Sequence, residues 1–253
     1  MENTLKDFLH ALPESSAIHS SQIRGEEGKS LVIWAPELDY DLNIQWQHLA
    51  RDLVKENKSL SVYIFCSHPF LFTMGRGLQK KNGQKIEGLK DFDPSDLPPQ
   101  LKDHVPLHYI NRGGGLTFHY PGQVICYPII NLSSPKWDLS TLTWSLFDVA
   151  KGLGEKTFGI NDLEVKKDPL GLWREQKKVA SLGIGVERFC TQHGIAINVF
   201  HDEEVFNALQ MIHPCGLQGP VYTSFDQLTP LTSSWSDVVW SLQEIMNAQG
   251  FFK

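Results

Sequence analysis

Apolar and polar positions alternate along this chain in two distinct rhythms. From Asp41 the residues Trp46, Leu49, Ala50, Leu53 and Val54 recur at the spacing of a helix face, and the run from Ser59 to Phe65 (SLSVYIF) then reads as a strand. Further strands are predicted over Pro106 to Ile110, Val124 to Ile130, Lys178 to Val186 and Gly194 to Val199, and helices over Leu142 to Leu153 and Trp235 to Met246. The first ~30 residues are polar without clear periodicity and read as an extension. A long polar stretch with the pair Pro98-Pro99 fills Gly77 to His104 and reads as a functional or mobile loop.

This mixture predicts an α/β fold of the α+β type, a mixed central sheet flanked by helices. No internal repeat, low-complexity tract or Gly/Ser linker divides the chain, and 253 residues with 41% hydrophobic content can bury one core, so a single domain is expected.

Charge and cysteine usage narrow the functional classes. A net charge of -6 and a pI near 5.9 give no global attraction to nucleic acid or to an anionic membrane. No apolar run reaches the ~18 residues of a membrane span, and the N-terminus MENTLKDFLH has neither the basic start nor the apolar stretch of a signal peptide, which predicts a soluble cytoplasmic protein. Neither a G-x-G-x-x-G turn opening a helix nor a G-x-x-x-x-G-K-[ST] phosphate loop is present. Cys66, Cys126, Cys190 and Cys215 are widely spaced, with no C-x-x-C pair and too few for a disulfide framework.

Three segments carry candidate chemistry. In Arg112 to Gln123 (RGGGLTFHYPGQ) three consecutive glycines permit close backbone approaches, and Thr117 and His119, alternating with Leu116 and Phe118, can point into one pocket. A glycine-rich hairpin with a structural histidine explains the same residues equally well. In Gly171 to Val199, Lys178 enters the small, apolar run Val179 to Gly183; burying a lysine is costly unless its charge is paired or its pKa falls, so it is a candidate for acid-base work, while Lys177 is expected to stay solvated. In Ile212 to Pro220, Cys215 lies between Pro214 and Gly216 on a turn, where side chains meet ligands. Cys66 and Cys126 sit in apolar strands and read as core filling. Cys190 lies near His193, and His213 near Cys215, but their spacing matches no standard structural zinc pattern.

Together these segments resemble the lipoyl(octanoyl) transferase family, whose pattern is similar to R-G-G-x-x-T-[FY]-H-x-P-G-Q, K-[ILV]-A-[AS]-[IL]-G, H-G-x-A-[LI]-N and P-C-G. Here these are Arg112 to Gln123, Lys178 to Gly183, His193 to Asn198 and Pro214 to Gly216. His68-Pro69 and Thr73 to Arg76 resemble the family's earlier H-P-x-x-x-T-x-G-R segment. The likeness covers about residues 31 to 225, leaving 1–30 as an N-terminal extension and 226–253 as a C-terminal helical segment. Tyr120, where the family usually has glycine, and the long insertion before Arg112 depart from the pattern.

The resemblance implies the fold of the biotin/lipoate ligase catalytic domains. It implies Cys215 as acyl-accepting nucleophile and Lys178 as the residue that generates its thiolate. It places Arg112, Gly113, Gly114, Gly115, Leu116, Thr117, Phe118, His119, Ser181, Leu182, Gly183, Gly194, Ile195 and Ala196 at the acyl substrate, with no cofactor and no metal. The implied partners are octanoyl acyl carrier protein and the lipoyl domains of 2-oxoacid dehydrogenases and of the glycine cleavage H protein, served by a monomer. Such partners are generally acidic, which singles out Arg76, Lys80, Lys81 and Lys85 as a candidate docking patch. Two rivals share the pocket: an ATP-dependent lipoate-protein ligase, from which P-C-G differs in offering an acyl-accepting thiol, and a non-catalytic acyl-binding module.

Overall fold

The computed structural model describes residues 30–76, 105–210 and 221–252. In chain order the elements are β1 (Ser30–Ala35), α1 (Tyr40–Glu56), β2 (Ser61–Cys66), β3 (Leu71–Met74), β4 (Leu107–Tyr109), β5 (Leu116–His119) and β6 (Gln123–Ile129). They continue with α2 (Leu139–Phe158), β7 (Glu164–Lys167), β8 (Leu170–Arg174), β9 (Lys177–Glu187), β10 (Cys190–Asn198), α3 (Glu203–Gln210), α4 (Phe225–Leu228) and α5 (Trp235–Ala248).

Seven strands form the main sheet in the order β1-β2-β6-β10-β9-β8-β7; β1 and β2 run parallel and every other neighbouring pair antiparallel. Each central strand sends alternate side chains to opposite faces. Leu31, Ile33, Val62, Ile64, Ile125, Tyr127 and Ile129 meet Trp46, Ala50, Leu53 and Val54 of α1 on one face. Val32, Tyr63, Phe65, Val124, Cys126, Ile195 and Ile197 meet α2 and α5 on the other, through Leu146, Phe147, Ala150, Leu242 and Met246. The helices are capped as their sequences direct: Asp39 and Asp138 accept from the backbone N–H of Leu42 and Thr141, Ser234 and Asp237 form a capping box, and Gly159 closes α2 in the left-handed region at φ 65°. None of the described helices is long and apolar enough to cross a membrane.

A second, three-stranded sheet of order β4-β3-β5 was not anticipated from the sequence. Its outer face joins Phe72, Leu116, Phe118 and Tyr120 to Val205, Phe206 and Leu209 of α3 in a separate apolar cluster. Tyr120 packs there fully buried, against Phe118 and Phe206, and its hydroxyl donates to Phe200 O at 2.8 Å. The predicted helices and the strands of the main sheet that were read from the sequence are all present within a few residues of their expected ends. Strand β10 begins four residues earlier than expected because its turn carries Arg188 and Phe189 at φ 51° and 67°, positions normally marked by Gly or Asn. The sequence-predicted extension over residues 1–29 and the polar stretch 77–104 lie outside the described residues.

Candidate active site

The loop Arg112 to Gly115 rests directly on β9 and on the end of β3. A Cβ at Gly183 would lie 2.8 Å from Gly113 O and 2.9 Å from the Arg112 side chain, so only glycine admits this approach. Gly113 N–H donates to Ile184 O at 3.2 Å, Gly75 N–H to Gly115 O at 3.2 Å and Arg76 N–H to Arg112 O at 3.0 Å. Gly114 takes φ 78°, which a side chain would oppose. The glycine run thus laces the small sheet to the large one.

A chain of side-chain hydrogen bonds runs through this junction. Arg112 Nη2 donates to Thr73 Oγ1 at 2.9 Å and to Thr117 Oγ1 at 2.9 Å; Thr73 Oγ1 meets His119 Nε2 at 3.1 Å; His119 Nδ1 meets Gln123 Oε1 at 3.1 Å. Gln123 Nε2 donates to Phe118 O at 3.2 Å and to Asn198 Oδ1 at 2.9 Å, and Asn198 Nδ2 donates to Thr223 O at 2.9 Å. Two backbone carbonyls, Phe118 O and Thr223 O, accept only, so both amide orientations are fixed. All the members except Thr117 are buried.

Thr117 and His119, emerging from β5, line one cleft with Arg112, Ser181, Leu182, Gly183, Gly194, Ile195 and Ala196. The remaining lining is Tyr40, Ile110, Ile125, Tyr127 and His193. Burial keeps the histidines neutral: it lowers His68 to about 4, His193 to about 3 and His119 well below the usual imidazole range, with the Arg112 guanidinium adding to the effect on His119 and His193. Arg112 therefore supplies the one permanent charge in the lining. His68 holds Tyr127 in place: its Nε2 lies 2.9 Å from Tyr127 Oη while its Nδ1 lies against Leu38 O. His193 takes φ 59°, which turns its N–H out of the ladder to Gln47 Oε1 on α1 at 2.7 Å.

Lys178 is buried at the start of β9. Its side chain runs along Gly171, where no Cβ fits, and its Nζ lies 5.7 Å from the Trp173 ring centroid, a cation-π contact. Its backbone N–H donates to Val221 O at 2.7 Å and its carbonyl accepts from Thr223 N at 3.1 Å. Val221 and Thr223 are thereby fastened to Lys178. Cys215 itself lies outside the described residues, as do Lys80, Lys81 and Lys85.

Of the residues expected at the acyl substrate, nine share the cleft, and five do not line it. Leu116 and Phe118 point the other way, into the cluster with α3, because alternation on β5 sends Thr117 and His119 inward. Gly113, Gly114 and Gly115 act through their backbone. Cys66, Cys126 and Cys190 are buried, and burial raises the thiol pKa of each. Among the described residues no group of three or more His, Cys, Asp or Glu side chains is placed to hold a metal ion. Tyr40, Ile110, Ile125, Tyr127 and His193 were not foreseen as lining. The available signal was the polar set Tyr40, Asn43 and Gln47, buried at i, i+3 and i+7 beside the apolar stripe of α1.

A mixed sheet, a glycine-laced junction and a cleft with a single charged side chain in its lining describe a small-molecule site set between two sheets. The family description "lipoyl protein ligase A/B catalytic domain" matches residues 39–245, and the chain belongs to that family. It is 32% identical over 192 residues to an octanoyltransferase of Syntrophotalea carbinolica, covering 76% of this chain and 80% of that protein. It is 34% identical over 219 residues to an octanoyltransferase of Prochlorococcus marinus, covering 83% and 81%. Among solved structures, lipoate-protein ligase A bound with ATP aligns over 88% of this chain and 85% of that chain with a TM-score of 0.59; at 14% identity the likeness is one of fold.

Proposed function

We propose that this chain transfers an octanoyl group from acyl carrier protein to a lysine of a lipoyl domain, through a thioester on Cys215. The observation that carries this reading is the set Arg112, Thr117 and His119 facing Ser181 to Gly183 and Gly194 to Ala196 across one cleft, in a chain 32% and 34% identical to octanoyltransferases.

In the first step Lys178 takes the proton of the Cys215 thiol, and the thiolate attacks the thioester carbonyl. The new C–S bond forms, the carrier's C–S bond breaks, and the departing carrier sulfur receives the proton from Lys178. In the second step the neutral amine of the target lysine attacks the enzyme thioester. A C–N bond forms, the Cys215 sulfur leaves, and the proton lost by the nitrogen restores the thiol. Thioester exchange is nearly balanced and amide formation runs downhill, so the donor already holds the energy and no ATP enters either step.

The hydrocarbon tail lies in the cleft over the small residues Gly183, Gly194 and Ala196, where each methylene removed from water contributes about 0.8 kcal/mol. Neutral His119 and His193 suit such a tail better than charged ones, since a buried charge would have to be paired. The protein acts as a monomer in the cytoplasm, on carrier and lipoyl domains brought to the same mouth, in one catalytic domain.

The test is a reconstitution with octanoyl acyl carrier protein and an unmodified lipoyl domain, without ATP, followed by mass. The lipoyl domain gains one octanoyl group if the proposal holds. Modification that requires octanoate and ATP, with none from the carrier protein, would assign the chain to the ligases instead.

A further inference from the structure

Two spaces adjoin at Tyr40, Ile110 and His193. One is the cleft; the other is a groove whose further lining includes Asp41, His48, Asn111, Glu187 and Gln192. The strand register orders them along β9. Lys178 lies at one end, Ser181 and Gly183 follow, His193 stands opposite Ile184, and Glu187 and Gln192 lie beyond in the groove. From Ser181 to the row of Ile184 and His193 is three residues, ~10 Å at the rise of a strand, about the extended length of an eight-carbon chain.

At that limit Tyr40 bridges α1 to the small sheet. Its ring lies 4.6 Å from the His108 ring of β4 and 5.1 Å from the His68 ring, and His108 Nδ1 reaches Asp41 Oδ1 at 3.6 Å. Tyr40 is buried, yet its hydroxyl has no hydrogen-bond partner. The ring is therefore placed by packing and not by its polar tip. On the cleft side the sheet offers Leu182, Gly183, Gly194, Ile195 and Ala196; beyond Tyr40 the groove adds Asp41, His48, Asn111, Glu187 and Gln192, where a hydrocarbon tail would strip water from polar groups without replacing it.

We propose that Tyr40, backed by His108 and Ile110, is the end wall that sets the longest acyl chain the cleft accepts. The inference rests on the acyl-transfer reading above and adds to it a specificity-determining residue.

The experiment compares wild type, Tyr40→Ala, Tyr40→Phe and the double variant His108→Ala/Ile110→Ala. The affinity of each for saturated fatty acids from hexanoate to tetradecanoate is measured by titration calorimetry, and its transfer activity with the matching acyl carrier proteins. Wild-type affinity is expected to rise up to octanoate or decanoate and then fall. In Tyr40→Ala the optimum moves to dodecanoate or longer, with dodecanoate gaining about tenfold or more relative to octanoate, because the methylenes beyond the wall become burieable in the space of the ring. Tyr40→Phe restores the wild-type cut-off. The double variant alters half-buried positions only, and gives the same shift should Tyr40→Ala lose its fold by circular dichroism. An optimum unchanged in Tyr40→Ala and in the double variant overturns the wall. A shifted optimum in a protein that transfers no octanoyl group upholds the wall and overturns the proposed activity.

Discussion

His119 Nδ1 lies 3.1 Å from Gln123 Oε1, and this single contact fixes the direction of the whole buried chain of hydrogen bonds from Arg112 to Asn198. Because Gln123 Nε2 is committed to Phe118 O and Asn198 Oδ1, its oxygen must accept, so neutral His119 carries its proton on Nδ1. His119 Nε2 then accepts from the Thr73 hydroxyl, whose oxygen in turn accepts from Arg112. A charged guanidinium is thus held at the cleft by neutral groups, and the orientation of each depends on the next.

Gln123→Ala should be disproportionately destabilising for a single amide. It leaves His119 Nδ1–H and Asn198 Oδ1 buried without partners, each costing ~1–3 kcal/mol, so a loss of roughly 2–4 kcal/mol is expected in urea unfolding. The matching Gln243→Ala on α5, outside this network, should change the midpoint little. A Gln123→Ala midpoint equal to wild type would show that the chain of bonds is not coupled as described.

Acid should destabilise the protein well before its carboxylates protonate. His68 and His193 titrate at about 4 and about 3 in the fold, and His119 well below its ordinary value, whereas unfolded histidine titrates near ~6.5. Between those values the unfolded chain binds more protons, so stability is fully present above about pH 6.5 and is lost as pH falls below it. Each of the three contributes a slope of up to ~1.4 kcal/mol per pH unit. Unfolding free energies measured from pH 8 to pH 5 should be flat above pH 7 and fall below pH 6; a curve flat throughout would contradict the burial of neutral imidazoles.

Two adjacent lysines should behave differently. Lys178 is buried against Gly171 and Trp173, while Lys177 is half-buried at the strand's start. Lys178→Ala is expected to slow single-turnover acylation by about 10²–10⁴-fold, the usual worth of a positioned acid-base group, and Lys177→Ala by no more than a few-fold. Equal rates in the two variants would remove Lys178 from the proton transfer.

Periodicity revealed the main sheet and its helices because Trp46, Ala50 and Leu53, or Val62, Ile64 and Cys66, face one apolar layer with a regular repeat. The strand β1 escaped notice: its run SLVIWA is buried on both faces and follows a polar stretch, so it shows no alternation. The strand β4 was read from the sequence as Pro106 to Ile110, but the four-residue β3 is too short to carry a period, so the small sheet that joins β4, β3 and β5 was not visible. The lining of the cleft was legible where motifs name it, at Arg112, Thr117, His119 and Gly183. It was not legible at Tyr40, which reaches the cleft from a helix more than sixty residues away in sequence, because tertiary packing alone brings α1 over β6 and β10.

The central claim is a covalent acyl thioester on one cysteine, and intact mass after incubation with octanoyl acyl carrier protein tests it most directly. Cys66, Cys126 and Cys190 are buried thiols whose pKa is raised, and a raised pKa leaves little reactive thiolate near neutral pH. Wild type should gain a single octanoyl group, mapped by peptide analysis to Cys215 and released by hydroxylamine. Cys215→Ser should gain none and lose transfer, while Cys126→Ser should keep the adduct and lose only stability. An adduct that persists in Cys215→Ser, or full transfer to a lipoyl domain by that variant, would contradict the account.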